Sequence, residues 1–124
     1  MKRHVIAVVD DMFFAAKIRG TAELSGVAVT LASSSKSLDA LFESTQREPP
    51  ALVIIDLHAQ RTDPFALAAR LKADTRLRHV PLVGFFSHVR IELQQRARDA
   101  GFDQILPRSA FTKRLPEILQ GQTD

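Results

Sequence analysis

The sequence has no cysteine, no tryptophan and no tyrosine. The absence of thiols excludes disulfides, thiolate-bound metals and cysteine nucleophiles, and it fits a reducing compartment. Without Trp or Tyr, and with no helix-turn-helix or zinc-finger spacing, the chain lacks the stacking platforms and reading motifs of a nucleic-acid binder. Long apolar runs are missing too, since none approaches the roughly 20 residues that span a bilayer. The basic start Lys2-Arg3-His4, followed by Val5–Val9, looks like the opening of a signal peptide. Asp10 and Asp11 end that run after five residues, short of the roughly 7–15 of such a segment. A cytoplasmic protein without membrane attachment is expected.

What is present is ordinary for a folded domain. The chain has 124 residues, 45% hydrophobic and 25% charged, which fits one domain spanning residues 1–124. The pI of about 9.8 overstates its basicity, because the net charge is only +3. Residues 1–56 hold six Lys and Arg against seven acids, and residues 57–124 hold eleven against seven. An asymmetry this mild bears on solubility and partner choice rather than on DNA binding.

Five short apolar runs recur, at Val5–Val9, Val27–Leu31, Ala51–Ile55, Pro81–Phe86 and Gln104–Leu106. The first and third are continuous and rich in Val and Ile, as in strands buried on both faces of a parallel sheet. Helical spacing fills the gaps between them. It is carried by Phe13, Ile18 and Leu24, then Leu38, Leu41 and Phe42, then Phe65, Ala68, Ala69 and Leu71, then Val89, Leu93, Ala97 and Ala100. Gly26 and Gly101 stand where left-handed helix caps belong, Ser34 or Ser35 can cap the second helix, and Pro49-Pro50 ends it. Pro116, inside the pattern Phe111, Leu115, Ile118, Leu119, predicts a broken or late-starting last helix. Strand and helix in alternation predict an α/β fold: a flavodoxin-like, doubly wound, five-stranded parallel sheet of order 2-1-3-4-5, with helices on both faces. Pro107 is tolerable if the fifth strand is an edge.

In such sheets ligands gather beyond the carboxyl ends of the strands, at the switch point between strands one and three. Asp10 and Asp11 end the first run and Asp56 ends the third, so three carboxylates are expected at one end of the sheet. Clustered carboxylates raise one another's pKa unless a cation sits among them. A hard, oxygen-seeking Mg²⁺ suits that donor set. Capping of the following helix or loop is the plainer role for each acid taken singly.

Four segments in order, Val8-Val9-Asp10-Asp11, Leu52-Val53-Ile54-Ile55-Asp56-Leu57, Val80-Pro81-Leu82-Val83 and Ala100-Gly101-Phe102-Asp103, carry a family resemblance. Over nearly its whole length the chain resembles the receiver domains of two-component response regulators. The resemblance implies that Asp56 accepts a phosphoryl group from a sensor histidine kinase, a phosphotransfer protein or a small donor. It implies Asp11 and Asp56 as direct Mg²⁺ ligands, Asp10 acting through water, and the backbone carbonyl of His58 as a further ligand. It also implies a stand-alone receiver in a phosphorelay rather than an enzyme, with at most self-phosphorylation and self-dephosphorylation. Output would pass to a downstream protein through the face of the fourth helix, fifth strand and fifth helix, with no direct nucleic-acid contact.

The family pattern is broken at several positions. The Thr or Ser that follows the strand-four Pro by five residues is Phe86 here, with Ser87 one place later. Ser87 replaces that hydroxyl only if the strand slips by one, and capping of the fourth helix is its other role. The family's Lys–Pro pair is Arg108-Ser109, so a trans peptide is expected. Arg108 is longer than Lys, planar and able to fork onto a carboxylate. Its guanidinium is expected to reach the pocket and pair with Asp56 or Asp10. Ile105 stands at the switch aromatic, and the loop His58–Pro64 lacks the usual Pro and Asp-Gly. An alternative reading is therefore a pseudo-receiver, the same fold serving as a phosphorylation-independent interaction module. A hydrolytic or flavodoxin-type enzyme is disfavoured, because there is no Gly-rich phosphate loop and no nucleophile elbow. His4, His58, His79 and His88 share no metal-ligand spacing. Arg76, Arg78, Arg90, Arg96 and Arg98 form a solvated basic face or a docking surface.

Overall fold

The computed structural model describes residues 3–32, 40, 43, 49–87 and 90–121. Expectations placed on Ser34, Ser35, Leu38, Leu41, Phe42, His88 and Val89 lie outside them. Five strands form one parallel sheet: β1 (His4–Val8), β2 (Ala28–Ala32), β3 (Leu52–Asp56), β4 (Leu82–Phe86) and β5 (Gln104–Pro107). Their order is β2-β1-β3-β4-β5, with β1 and β3 in register from Val5 against Leu52 to Val8 against Ile55. This is the doubly wound order read from the sequence. Pro107 closes β5, an edge strand: Asp103 N donates to Leu82 O, and Pro107, two repeats of the pleat later, lacks the N–H that would continue that ladder.

Successive side chains of a strand point to opposite faces, so one apolar strand feeds two cores. Ile6 and Val8 of β1, with Val53 and Ile55 of β3, face α2 (Pro64–Ala73) and α3 (Ile91–Asp99). Val5 and Ala7, with Leu52 and Ile54, face α1 (Met12–Leu24), α4 (Arg108–Lys113) and α5 (Leu115–Leu119). Ile54 and Ile55 are both fully buried, one on each face, and each such burial stabilises the fold by about 1.5–3 kcal/mol.

The inner stripe of α1 is Phe14, Ile18 and Ala22, an i, i+4, i+8 row. Of the residues expected there, Phe13 and Leu24 are instead 92% exposed. Phe13 and Leu24 lie five and six residues from Ile18, off the face that Ile18 shares with Phe14 and Ala22 at 3.6 residues per turn. On α2 the buried row is Pro64, Leu67, Ala68 and Leu71, while Ala69 is exposed. Asp63 caps α2 through Phe65 N and Ala66 N, with Pro64 in its first turn. Gly26 and Gly101 take φ of 70° and 101°, the left-handed conformation that closes α1 and α3. The last helical segment is interrupted at Arg114, because Pro116 has no N–H to continue the ladder.

Candidate functional site

The three acids sit where the switch-point rule puts them, just past β1 and at the end of β3, but each has its own task. Asp11 caps α1: its Oδ1 accepts from Phe13 N at 2.9 Å and Phe14 N at 3.2 Å. Its Oδ2 accepts from Arg108 Nη2 at 2.8 Å. Arg108 foremost, then the Phe14 N–H, holds the Asp11 carboxyl below the usual carboxylate range. Asp10 reaches across to the loop after β3. There its Oδ2 accepts from Gln60 N at 2.7 Å and Arg61 N at 3.1 Å. Asp56 turns its Oδ1 back onto the N–H of His58, at 2.9 Å. Burial pushes the Asp56 carboxyl above its ordinary range. The His58 N–H, the His58 charge and the Arg108 charge oppose that rise, and the negative charge of Asp10 adds to it.

Arg108 therefore does reach the acidic end of the sheet, but its partner is Asp11 rather than Asp56 or Asp10. The reason is helical geometry. Arg108 opens α4, which packs beside the start of α1, and the carboxylate facing it across that junction is the α1 cap. Its guanidinium carbon also lies 4.3 Å from the centroid of the Phe14 ring. Phe14 is the site residue that sequence reasoning missed. Its signal was the second of two adjacent aromatics, Phe13-Phe14, three positions after an expected cap and four before Ile18, on the buried side of the helix.

Ser87 follows β4, is exposed, and lines an open groove with Lys17, Arg108, Ser109 and Thr112. It does not cap α3, whose N-cap is Arg90 without a side-chain bond. Phe86 is buried in the core on the α2/α3 face, and Ile105 packs against the same core. No peptide bond among the described residues is cis, so the Arg108–Ser109 link is trans.

The resemblance implies a divalent cation here, and the donors can be tested against one. Carboxylate oxygens are the right chemistry. Asp10 Oδ1 is buried and accepts no hydrogen bond, an orphaned acceptor that a cation or its water would satisfy. The Asp56 carboxyl, raised by burial, gains from the same charge. Asp11 is different, because both its oxygens are engaged. Among the described residues no three His, Asp or Glu side chains stand together as a metal-holding group. The expected three-carboxylate set is thus not assembled. The orphaned Asp10 oxygen and the buried Asp56 carboxyl fit a cation between them, whereas Asp11 Oδ2 is held by Arg108.

No protein-family model matches the chain, and no curated protein matches it in sequence. Solved structures do. The chemotaxis response regulator CheY4 of Vibrio cholerae superposes with a TM-score of 0.81 at 18% identity, covering 99% of this chain and all of that one. The phosphorylated cyanobacterial phytochrome response regulator RcpA gives 0.80 at 17% identity, covering 98% and 91%. The Mn²⁺-bound form of response regulator Rcp1 gives 0.76 at 17%, covering 96% and 90%. The chain has the fold of response-regulator receiver domains, and among the described residues no helix is long and apolar enough to cross a membrane.

Proposed function

We propose that the chain is a receiver in phosphorelay signalling, with Asp56 as the phosphoacceptor. The observation that carries this reading is the placing of Asp56. It is a partly buried carboxylate at the carboxyl end of a central strand, raised by desolvation, and it feels both Asp10 and Arg108. Desolvation makes a carboxylate more basic and so a better nucleophile. The His58 N–H holds Oδ1, so attack falls to Oδ2. An Oδ2–phosphorus bond forms as the donor's P–N or P–O bond breaks, and the leaving group departs with that electron pair. Asp10, Asp56 and the backbone carbonyl of His58 would hold Mg²⁺, which would supply neutralising charge for the transferring phosphoryl oxygens. Asp10 also pins the 57–63 loop over the site through the Gln60 and Arg61 amides, and Arg108 brings a cation to its rim. Ser87, exposed just after β4, is a hydroxyl one place beyond the position that the family gives to Thr or Ser.

Such a domain is a signalling protein rather than a turnover enzyme. Its donor is a sensor histidine kinase or a phosphotransfer protein, which places it in the cytoplasm. Its reader is a downstream protein on the face of α3, β5 and α4, where Arg90, Arg96 and Arg98 are exposed.

One observation favours a second reading. The Arg108–Asp11 pair engages one of the three acids without phosphorylation, and buried Phe86 offers no hydroxyl to a phosphoryl group. Both suit a phosphorylation-independent interaction module. Acetyl phosphate with Mg²⁺, read by intact mass, decides between the two. One phosphoryl addition in wild type and none in Asp56→Asn supports the receiver. Labelling that survives Asp56→Asn puts the acceptor elsewhere, and no labelling from any donor favours the module.

A further inference from the structure

Two helix starts meet at the site in matched layers. Asp11 and Phe14 are i, i+3 on α1, and Arg108 and Phe111 are i, i+3 on α4. The polar pair meets at 2.8 Å. Beneath it Phe14 lies 5.7 Å from Phe111 and 4.8 Å from Phe85, and Phe85 and Phe111 stack at 4.6 Å. Phe14 is 5% exposed, so its ring is fixed by the core below and presents a face to Arg108 above. It touches the ion pair twice, through its backbone N–H on Asp11 Oδ1 and through its ring on the guanidinium. A planar guanidinium can stack on an aromatic face and hydrogen-bond at its edge together, which a Lys ammonium cannot.

We propose that Phe14 is a positioning residue that holds Arg108 on Asp11, and that Arg108, so held, competes as a tethered cation with a divalent metal for the acidic pocket. Asp11 Oδ2 cannot serve both cations, because bringing a second positive centre to that oxygen sets like charges against each other. Metal recruitment of Asp11 therefore requires Arg108 to leave, and the Phe14 ring sets how readily it does so. This inference rests on the reading of the site as one that takes a divalent cation.

Calorimetric titration of Mn²⁺ at pH 7 tests it in wild type, Arg108→Ala, Phe14→Leu, Phe14→Tyr and the Phe14→Leu/Arg108→Ala double variant. Arg108→Ala is expected to bind Mn²⁺ roughly two- to fivefold tighter, the range that a partly exposed ion pair commands. Phe14→Leu is expected to tighten binding by less, and Phe14→Tyr to restore the wild-type value. In the Arg108→Ala background the Phe14→Leu effect should vanish, because its only route to the metal is through Arg108. A purely structural role for Phe14 would lower the melting temperature without this dependence on Arg108. Should Phe14→Leu not fold, Arg108→Lys replaces it: this variant keeps the charge and loses the stack, and is expected between wild type and Arg108→Ala. Wild type that binds Mn²⁺ with Arg108→Ala no tighter overturns the inference alone. No Mn²⁺ binding by any variant overturns the metal reading and the inference with it.

Discussion

Arg108 and Asp11 are 97 positions apart in the chain and 2.8 Å apart in the fold. The same Asp11 carboxylate caps α1, so one side chain fixes a helix start and anchors the cation at the rim of the site. The two tasks use different oxygens and can be separated.

Asp11→Ala should lower the urea midpoint more than Asp11→Asn, which keeps a capping oxygen and loses the charge that Arg108 pairs with. Equal losses in the two variants would mean that the cap contributes nothing beyond the ion pair. The carboxyl is held low in the folded state, so its contribution is present above the unfolded carboxylate range and is lost as pH falls through the folded pKa.

Asp56 has the opposite sign. Its folded pKa is raised by burial, so the folded protein binds a proton more readily there than the unfolded chain does. Stability is lost as pH rises from the unfolded to the folded pKa. Asp56→Asn should therefore raise the melting temperature at neutral pH, and the gain should shrink in acid where the wild-type carboxyl is protonated. Melts at pH 7 and pH 3 check this, and a gain of the same size at both would refute the desolvation account.

Asp10 is predicted to govern the 57–63 loop. Asp10→Ala removes the acceptor for Gln60 N and Arg61 N, and their amide exchange should speed up roughly tenfold or more. Exchange at β1 amides should stay as it was. Unchanged protection at Gln60 and Arg61 would show that the loop is held by something else.

Gly84 in β4 reports on the core behind the site. A Cβ there would lie 3.0 Å from Phe102 Cδ1 and 3.1 Å from Leu57 Cδ2, both in a well-packed layer. Gly84→Ala should cost about 1–3 kcal/mol by overpacking, measured by denaturant unfolding. A neutral or stabilising outcome would mean that the Phe102 ring has room to move.

The sequence by itself determined the sheet. Runs such as Val5–Val9 and Leu52–Ile55 are apolar at every position, which only a strand covered on both faces can use, and alternation with helical spacing leaves few right-handed topologies. Strand order then put Asp10, Asp11 and Asp56 at one end without any knowledge of side chains. Gly26, Gly101 and Pro116 were legible for the same local reason, since each constrains its own backbone. What each carboxylate binds was decided only in three dimensions. Asp11 faces Arg108 because α1 and α4 begin side by side, and Asp10 faces the Gln60 and Arg61 amides because the loop folds back over β1. Of the adjacent Phe13 and Phe14, only Phe14 shares a face with Ile18 and Ala22, so which of the two is buried followed from the side of α1 that packs on the sheet. Periodicity is a property of the backbone and repeats along the chain. A side-chain partner is chosen by rotamer and by packing between distant segments, which sequence spacing does not encode.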